Sequence, residues 1–185
     1  MAAVVALAGR RVDRGDEPVV RFPLENVGYV REQISRLFQE LKVQALVCSA
    51  ACGADLIALE VANADGIRSR VVLPFSRDRF REISVVDRPG EWAEKFDQTL
   101  DSASARGDVV TLDRAPSDSE AFLAANVGIL DEAAHLAEQL AAGIAVIVVW
   151  DGSRGDADTT SDLAEKAREL GLDVYELKTI RVEKA

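Results

Sequence analysis

The sequence predicts an α/β fold, a single Rossmann-like three-layer domain over residues 1–185 with a mainly parallel sheet of about six strands. Three observations carry this. Short, unbroken apolar runs alternate with longer segments of helical apolar spacing from end to end. The apolar content is aliphatic, with 48% hydrophobic residues but only 5% aromatic, as packed helix and sheet layers require. A length of 185 residues suits one well-buried core.

The elements follow in order. Ala3–Gly9 is strand-like and ends in glycine; a polar loop holding Gly15, Pro18 and Pro23 comes next. Val27, Val30, Ile34, Leu37, Phe38 and Leu41 mark one apolar face of a first helix. Residues 45–48 form a second buried strand, which passes through Cys52, Gly53, Ala54 and Asp55 into a helix closing near Asp65 and Gly66. Val71–Leu73 is a third strand, stopped by Pro74, Phe75 and Ser76. Residues 79–84 hold one or two helical turns, and Asp87–Gly90 is a turn. Trp92, Phe96 and Leu100 mark a further helix, and 108–112 a fourth strand. Ser117 and Glu120 have capping-box spacing before a long helix reaching toward Gly143. Residues 144–150 are the strongest strand, 160–170 the last helix, and 174–177 the last strand.

The formal charge is −10, which argues against a nucleic-acid partner, since gripping a phosphate backbone needs a basic face. Arginine is nonetheless dense at 10–14 and 77–81, directly after two predicted strands. Its planar fork suits phosphate or carboxylate, so a small anionic ligand is the expected partner. The two cysteines, Cys48 and Cys52, lack a second Cys or His pair, and His135 is the only histidine. No metal and no cofactor are expected. The apolar segment 2–8 is too short to span a membrane and its arginines follow it, so the expectation is a cytoplasmic protein with no membrane partner.

Ligands of open parallel sheets bind beyond the carboxyl ends of the strands. Four post-strand loops therefore supply the candidate binding residues: Gly9 and Arg10; Cys52, Gly53, Ala54 and Asp55; Pro74, Phe75 and Arg77; and Asp151, Gly152, Gly155, Thr159 and Thr160. Asp55 at a helix start is either a cap or a partner for a ribose hydroxyl. Gly53 answers either to a turn of positive φ or to close ligand approach. Arg10 and Arg77 either hold an anion or pair with nearby acids. Asn126 either satisfies a backbone group or reaches a base edge. Thr159 and Ser161 are candidate caps of the last helix, and the same helix start, with Thr159 and Thr160, could receive a phosphate. Cys52 is a small filler or a reactive thiol. Glu60 and Asp162 are the candidate catalytic carboxylates, each with a solvated or structural alternative.

Ala8-Gly9-Arg10, Cys52-Gly53-Ala54-Asp55 leading to Leu59-Glu60, Val72-Leu73-Pro74-Phe75, and Trp150-Asp151-Gly152 with Gly155-Asp156 resemble segments of the SMF/DprA–LOG (SLOG) superfamily of Rossmann-like domains. That resemblance implies binding or sensing of a nucleotide or nucleotide-derived molecule, a link to signalling, and a homodimer. It also implies two alternatives: an N-glycosidase or base-transfer enzyme acting on nucleoside monophosphates, or a protein-interaction module with a vestigial pocket. The enzymes of the family carry a Pro-Gly-Gly-x-Gly-Thr-type phosphate loop followed by glutamate. The comparable segment here is 156–162, which lacks adjacent glycines and places Asp158 where a phosphate would lie.

Overall fold

The computed structural model describes residues 2–112, 117–153 and 158–181. Gly155 and Asp156, two residues of the sequence-predicted site, lie outside them. Six strands form one sheet: β1 (Ala3–Gly9), β2 (Val43–Cys48), β3 (Arg68–Leu73), β4 (Val109–Thr111), β5 (Gly143–Trp150) and β6 (Asp173–Lys178). Their order is β4-β3-β2-β1-β5-β6, and every neighbouring pair is parallel. Six helices connect them: α1 (Val27–Leu41), α2 (Ala54–Ala64), α3 (Arg77–Ser84), α4 (Trp92–Ala105), α5 (Asp118–Leu140) and α6 (Thr159–Glu169). The α/β class, the parallel sheet and the three layers expected from the sequence are all present.

Side chains of successive strand residues point to opposite faces, and the two cores divide along that alternation. Val5, Leu7, Leu46, Cys48, Ile147 and Val149 pack with α1 to α4, where the buried phenylalanines Phe22, Phe38, Phe80 and Phe96 also gather. Val4, Ala6, Ala8, Ala45, Val47 and Val146 face α5 and α6 in an aliphatic cluster, with Val148 and Trp150 packed beside it on Ala164 of α6. Alanines at 133 and 137 let α5 lie close to the sheet.

Local signals account for most boundaries. Ser117 caps α5 as expected, accepting from the Glu120 N–H, while the Glu120 carboxylate accepts from the Ser117 hydroxyl at 2.7 Å in place of the backbone N–H of a full capping box. The α6 cap is neither Thr159 nor Ser161. Asp158 takes that place, its carboxylate accepting from the N–H groups of Thr160 at 2.9 Å and Ser161 at 3.3 Å. Among the described residues no helix is long and apolar enough to cross a membrane.

The strand order fixes where the loops meet. The chain builds outward from β1 through β2, β3 and β4, then returns across the sheet to place β5 on the other side of β1. The direction of winding reverses between β1 and β5, and a crevice opens at such a reversal beyond the carboxyl ends of the two strands.

Candidate functional site

Arg10 and Asp151 leave the ends of β1 and β5 side by side. The Arg10 Nε donates to Asp151 Oδ1 at 2.6 Å, and its Nη2 donates to the Ser153 carbonyl at 2.9 Å and to Asp158 Oδ2 at 3.0 Å. All three ionic side chains are at most 15% exposed. Burial alone would raise the Asp151 carboxyl, but the Ser153 hydroxyl and the Arg10 guanidinium outweigh it and hold the group below its ordinary value. One arginine thus ties the loops after β1 and β5 to the start of α6.

Two glycines let these loops approach α2. A Cβ on Gly9 would stand 2.3 Å from the Ala54 Cβ, so the end of β1 can rest on α2 only without a side chain there. Gly53 has φ +97°, and a Cβ on it would meet backbone atoms of Arg10, Val12 and Arg11 at 2.7 to 3.0 Å. The Ala54 N–H then donates to the Arg10 carbonyl at 3.2 Å. Gly53 answers to the turn and to the loop of β1 packed against it.

The β1–α1 loop borders the crevice. Asp13 Oδ2 accepts from the N–H groups of Arg21 and Phe22, both at 2.8 Å, and closes the loop at its base. Arg11 donates to the Ile83 carbonyl and to Asp87 at 2.9 Å, while Arg88 donates to Glu17 at 2.5 Å and to the Val12 carbonyl at 3.2 Å. The resulting crevice has a volume of about 540 Å³ and is lined by Gly9, Thr159, Thr160 and seven ionic residues. Arg10, Arg11, Arg21 and Arg88 stand against Asp13, Glu17 and Asp158 along its lining, and Asp151 and Asp87 pair with Arg10 and Arg11 from just outside it.

A smaller cavity of about 90 Å³ lies behind it, sharing Gly9, Arg11 and Thr159 as walls. Its polar lining includes Asp55, Ser49 and Asn126. Asp55 is not a helix cap. Gly53 occupies the cap position of α2, and Asp55 Oδ2 accepts instead from the upstream Ala51 N–H at 3.2 Å. Oδ1 is buried and makes no hydrogen bond. Burial pushes the carboxyl up to about 7, against the pull of the Ala51 and Gly9 N–H groups. Asn126 donates both amide hydrogens, to the Thr159 carbonyl at 2.7 Å and to Asp162 Oδ2 at 2.8 Å, and so pins α5 to the start of α6.

Other candidates lie elsewhere. Glu60 borders a different groove, of about 610 Å³, between α2, α4 and the start of β3, and both its oxygens are ion-paired, to Arg31 at 2.5 Å and Lys95 at 2.8 Å. That groove is the larger, yet it sits at the opening end of β3, away from the reversal of winding. Asp162 is taken up by Asn126 and Lys166 and lines neither the crevice nor the inner cavity. Arg77 is bound by Asp97 and Asp101 on α4. Pro74 and Phe75 are buried, with Phe75 packed edge-on to Phe122 at 5.4 Å. Cys52 is fully buried and burial pushes its thiol up to about 12. Gly152 forms the exposed turn after Asp151.

Sequence reasoning missed Arg21, Arg88 and Glu17 as members of the crevice; Arg11 and Asp13 stand out in the sequence only within the arginine-dense segment 10–14, and Asp158 only within the segment 156–162. For Asp158 a signal exists: an acid directly before Thr-Thr-Ser is a capping pattern. Arg88 carries none, because its position depends on the turn 85–91 docking onto the β1–α1 loop.

No protein-family model matches the chain, and no curated protein does. A solved structure, the X-ray structure of DNA processing protein A (DprA) from Streptococcus pneumoniae, aligns with 94% of this chain and 58% of its own length, at 15% identity and a TM-score of 0.43. The chain thus spans under two thirds of that protein, and the likeness is a loose one of Rossmann-like fold. The comparison corrects one expectation. Nucleic acid was excluded as a partner on net charge, but the matched structure is titled a DNA processing protein, and the exclusion is withdrawn. Its physical weakness is that net charge sums over the whole surface and does not say how charge is arranged locally.

Proposed function

We propose that the crevice between the ends of β1 and β5 binds a nucleotide or a nucleotide-derived molecule, and that the chain serves as a binding or sensing domain. The carrying observation is the crevice itself. It lies at the reversal of winding, where parallel sheets receive ligands, and it gathers four arginines on an acidic chain. Of these, Arg21 has no hydrogen bond or ion pair from its guanidinium among the described residues, so it is the cation available to an incoming anion. Asp158 already fills the anion position at the start of α6, so the anionic group is expected beside Arg21 and Arg88, away from that helix start.

Glu60 and Asp162 border no common cavity, and each is neutralised by protein cations, so binding is favoured over glycosidic cleavage. The test is a nucleotide panel in thermal unfolding. A ligand that binds only the folded state at a hundredfold its Kd stabilises it by about 2.7 kcal/mol, a shift of several degrees. Wild-type protein is expected to shift with at least one mononucleotide or dinucleotide, and Arg21→Ala to lose most of that shift. Absence of any shift at millimolar ligand would refute the reading.

A further inference from the structure

The inner cavity behind the crevice gathers three acceptors, Asp55, Asn126 and Ser49, and Arg11, Ser84 and Thr159 also border it. Asp55 Oδ1 is buried and unpartnered in a residue only 5% exposed. Both hydrogens of the Asn126 amide are committed to Thr159 and Asp162, which leaves its Oδ1 able only to accept. Ser49 spends its one hydroxyl hydrogen on the Val72 carbonyl at 2.8 Å, so toward the cavity it too can only accept. A phosphate or carboxylate has no donors and cannot satisfy these three acceptors. A water-sized group occupies about 30 Å³, so 90 Å³ admits about three such groups, too few for a base or a whole nucleotide. Phe80, Phe122 and Ile129 supply an apolar part of the wall that suits the carbon side of a small hydroxylated fragment.

We propose that this cavity is a subsite for the hydroxyl edge of a sugar, received by Asp55 Oδ1, Asn126 Oδ1 and Ser49 Oγ. The proposal rests on the crevice reading, since Gly9, Arg11 and Thr159 border both spaces and the ligand would enter the inner one from the outer. It also orients that ligand. The sugar edge points inward to α2 and α5, and the anionic group remains outside at the arginines. An unpaired buried carboxyl oxygen costs free energy that a hydroxyl partner would recover, so affinity in this subsite should depend on the hydroxyls of the ligand.

The experiment is a backbone-amide NMR titration with inorganic phosphate, ribose 5-phosphate and O-phosphoethanolamine. Phosphate is expected to move Arg21 and Thr160 at the crevice alone. Ribose 5-phosphate is expected to move these and also Ser49 and Ala51 at the inner cavity. Crevice shifts without inner shifts would overturn the subsite and leave the crevice reading intact; no shifts from either phosphate probe would overturn both. Preferential entry of O-phosphoethanolamine would make the occupant an ammonium group and overturn the sugar assignment. Asp55→Asn, nearly identical in shape, is expected to weaken ribose 5-phosphate at least tenfold without changing the affinity for phosphate. Ser49→Ala, which keeps the carboxyl, should show a smaller loss and supplies the answer should the first variant not fold. Unchanged ribose 5-phosphate affinity in the folded variants would overturn the proposal.

Discussion

Replacing Gly53 by alanine should damage stability and binding together, and its size follows from two separate costs. The first is conformational. At φ +97° and ψ −126° an L residue is strained, which costs about 1–3 kcal/mol. The second is steric. The new methyl would meet the Arg10 carbonyl oxygen at 2.7 Å, the Val12 nitrogen at 2.9 Å and the Arg11 Cα at 3.0 Å, all backbone atoms that cannot swing aside. Overpacking of this kind costs about 1–3 kcal/mol more. The total, about 2–6 kcal/mol, is a large part of the 5–15 kcal/mol typical of a folded domain. Because Arg10 and Arg11 border the crevice, any relaxation must push the loop after β1 outward and loosen the Arg10–Asp151 pair. Urea unfolding followed by circular dichroism measures the first effect, through a lower midpoint at unchanged slope. Nucleotide titration measures the second. A loss below about 1 kcal/mol with unaltered binding would refute both the strain and the contact.

Three further outcomes are expected. The folded Asp55 carboxyl titrates near 7, above its ordinary 3.8, so the native state holds a proton that the unfolded chain has lost; its contribution falls as pH rises from about 4 to 7, by up to about 4 kcal/mol. Melting temperatures of Asp55→Asn should therefore gain on wild type between pH 5 and pH 8, and a constant difference would contradict the assignment. Arg10→Ala strands the buried carboxylates of Asp151 and Asp158 and should cost about 3–5 kcal/mol at pH 7. Asp151 is held below its ordinary value, so this loss should shrink as pH falls below about 4, and denaturant unfolding at pH 7 and pH 3.5 checks it. Cys48 and Cys52 are both fully buried with thiols raised by burial, so Ellman's reagent at pH 8 should label them only as fast as the protein unfolds. Rapid labelling of the native protein would show an open route to Cys52.

What the sequence made legible was periodic. The continuous run 144–150 and the apolar stripe of α1 could be read because burial on both faces, or on one, leaves its own spacing in the chain. The loops that carry the crevice were also legible, since glycine and clustered polar residues follow the strands. The strand order was not. Nothing local in Arg10 announces that Asp151 will be its partner across 141 positions; that follows only from β5 inserting beside β1. Glu60 illustrates the opposite failure. Within α2, whose mean character is apolar on nearly all sides, a carboxylate looks exceptional, but it lies at the flank where Arg31 and Lys95 reach it. Arg77 likewise follows a strand as a ligand-holding residue would, and α4 supplies its acids.

The central place of β1 also bears on how the chain assembles. Its residues are made before those of the other five strands, yet one of its two edges is paired only when β5 exists, about 140 positions later. A growing chain that has completed β1 to β4 can zip those strands together, but it presents the other side of its innermost strand as an open template for any extended segment. Pairings this distant also make folding slow compared with that of a helical protein of equal size. Release of the chain anywhere before Trp150 should therefore yield a species that self-associates, and supplying β5 and β6 as a separate fragment should suppress it.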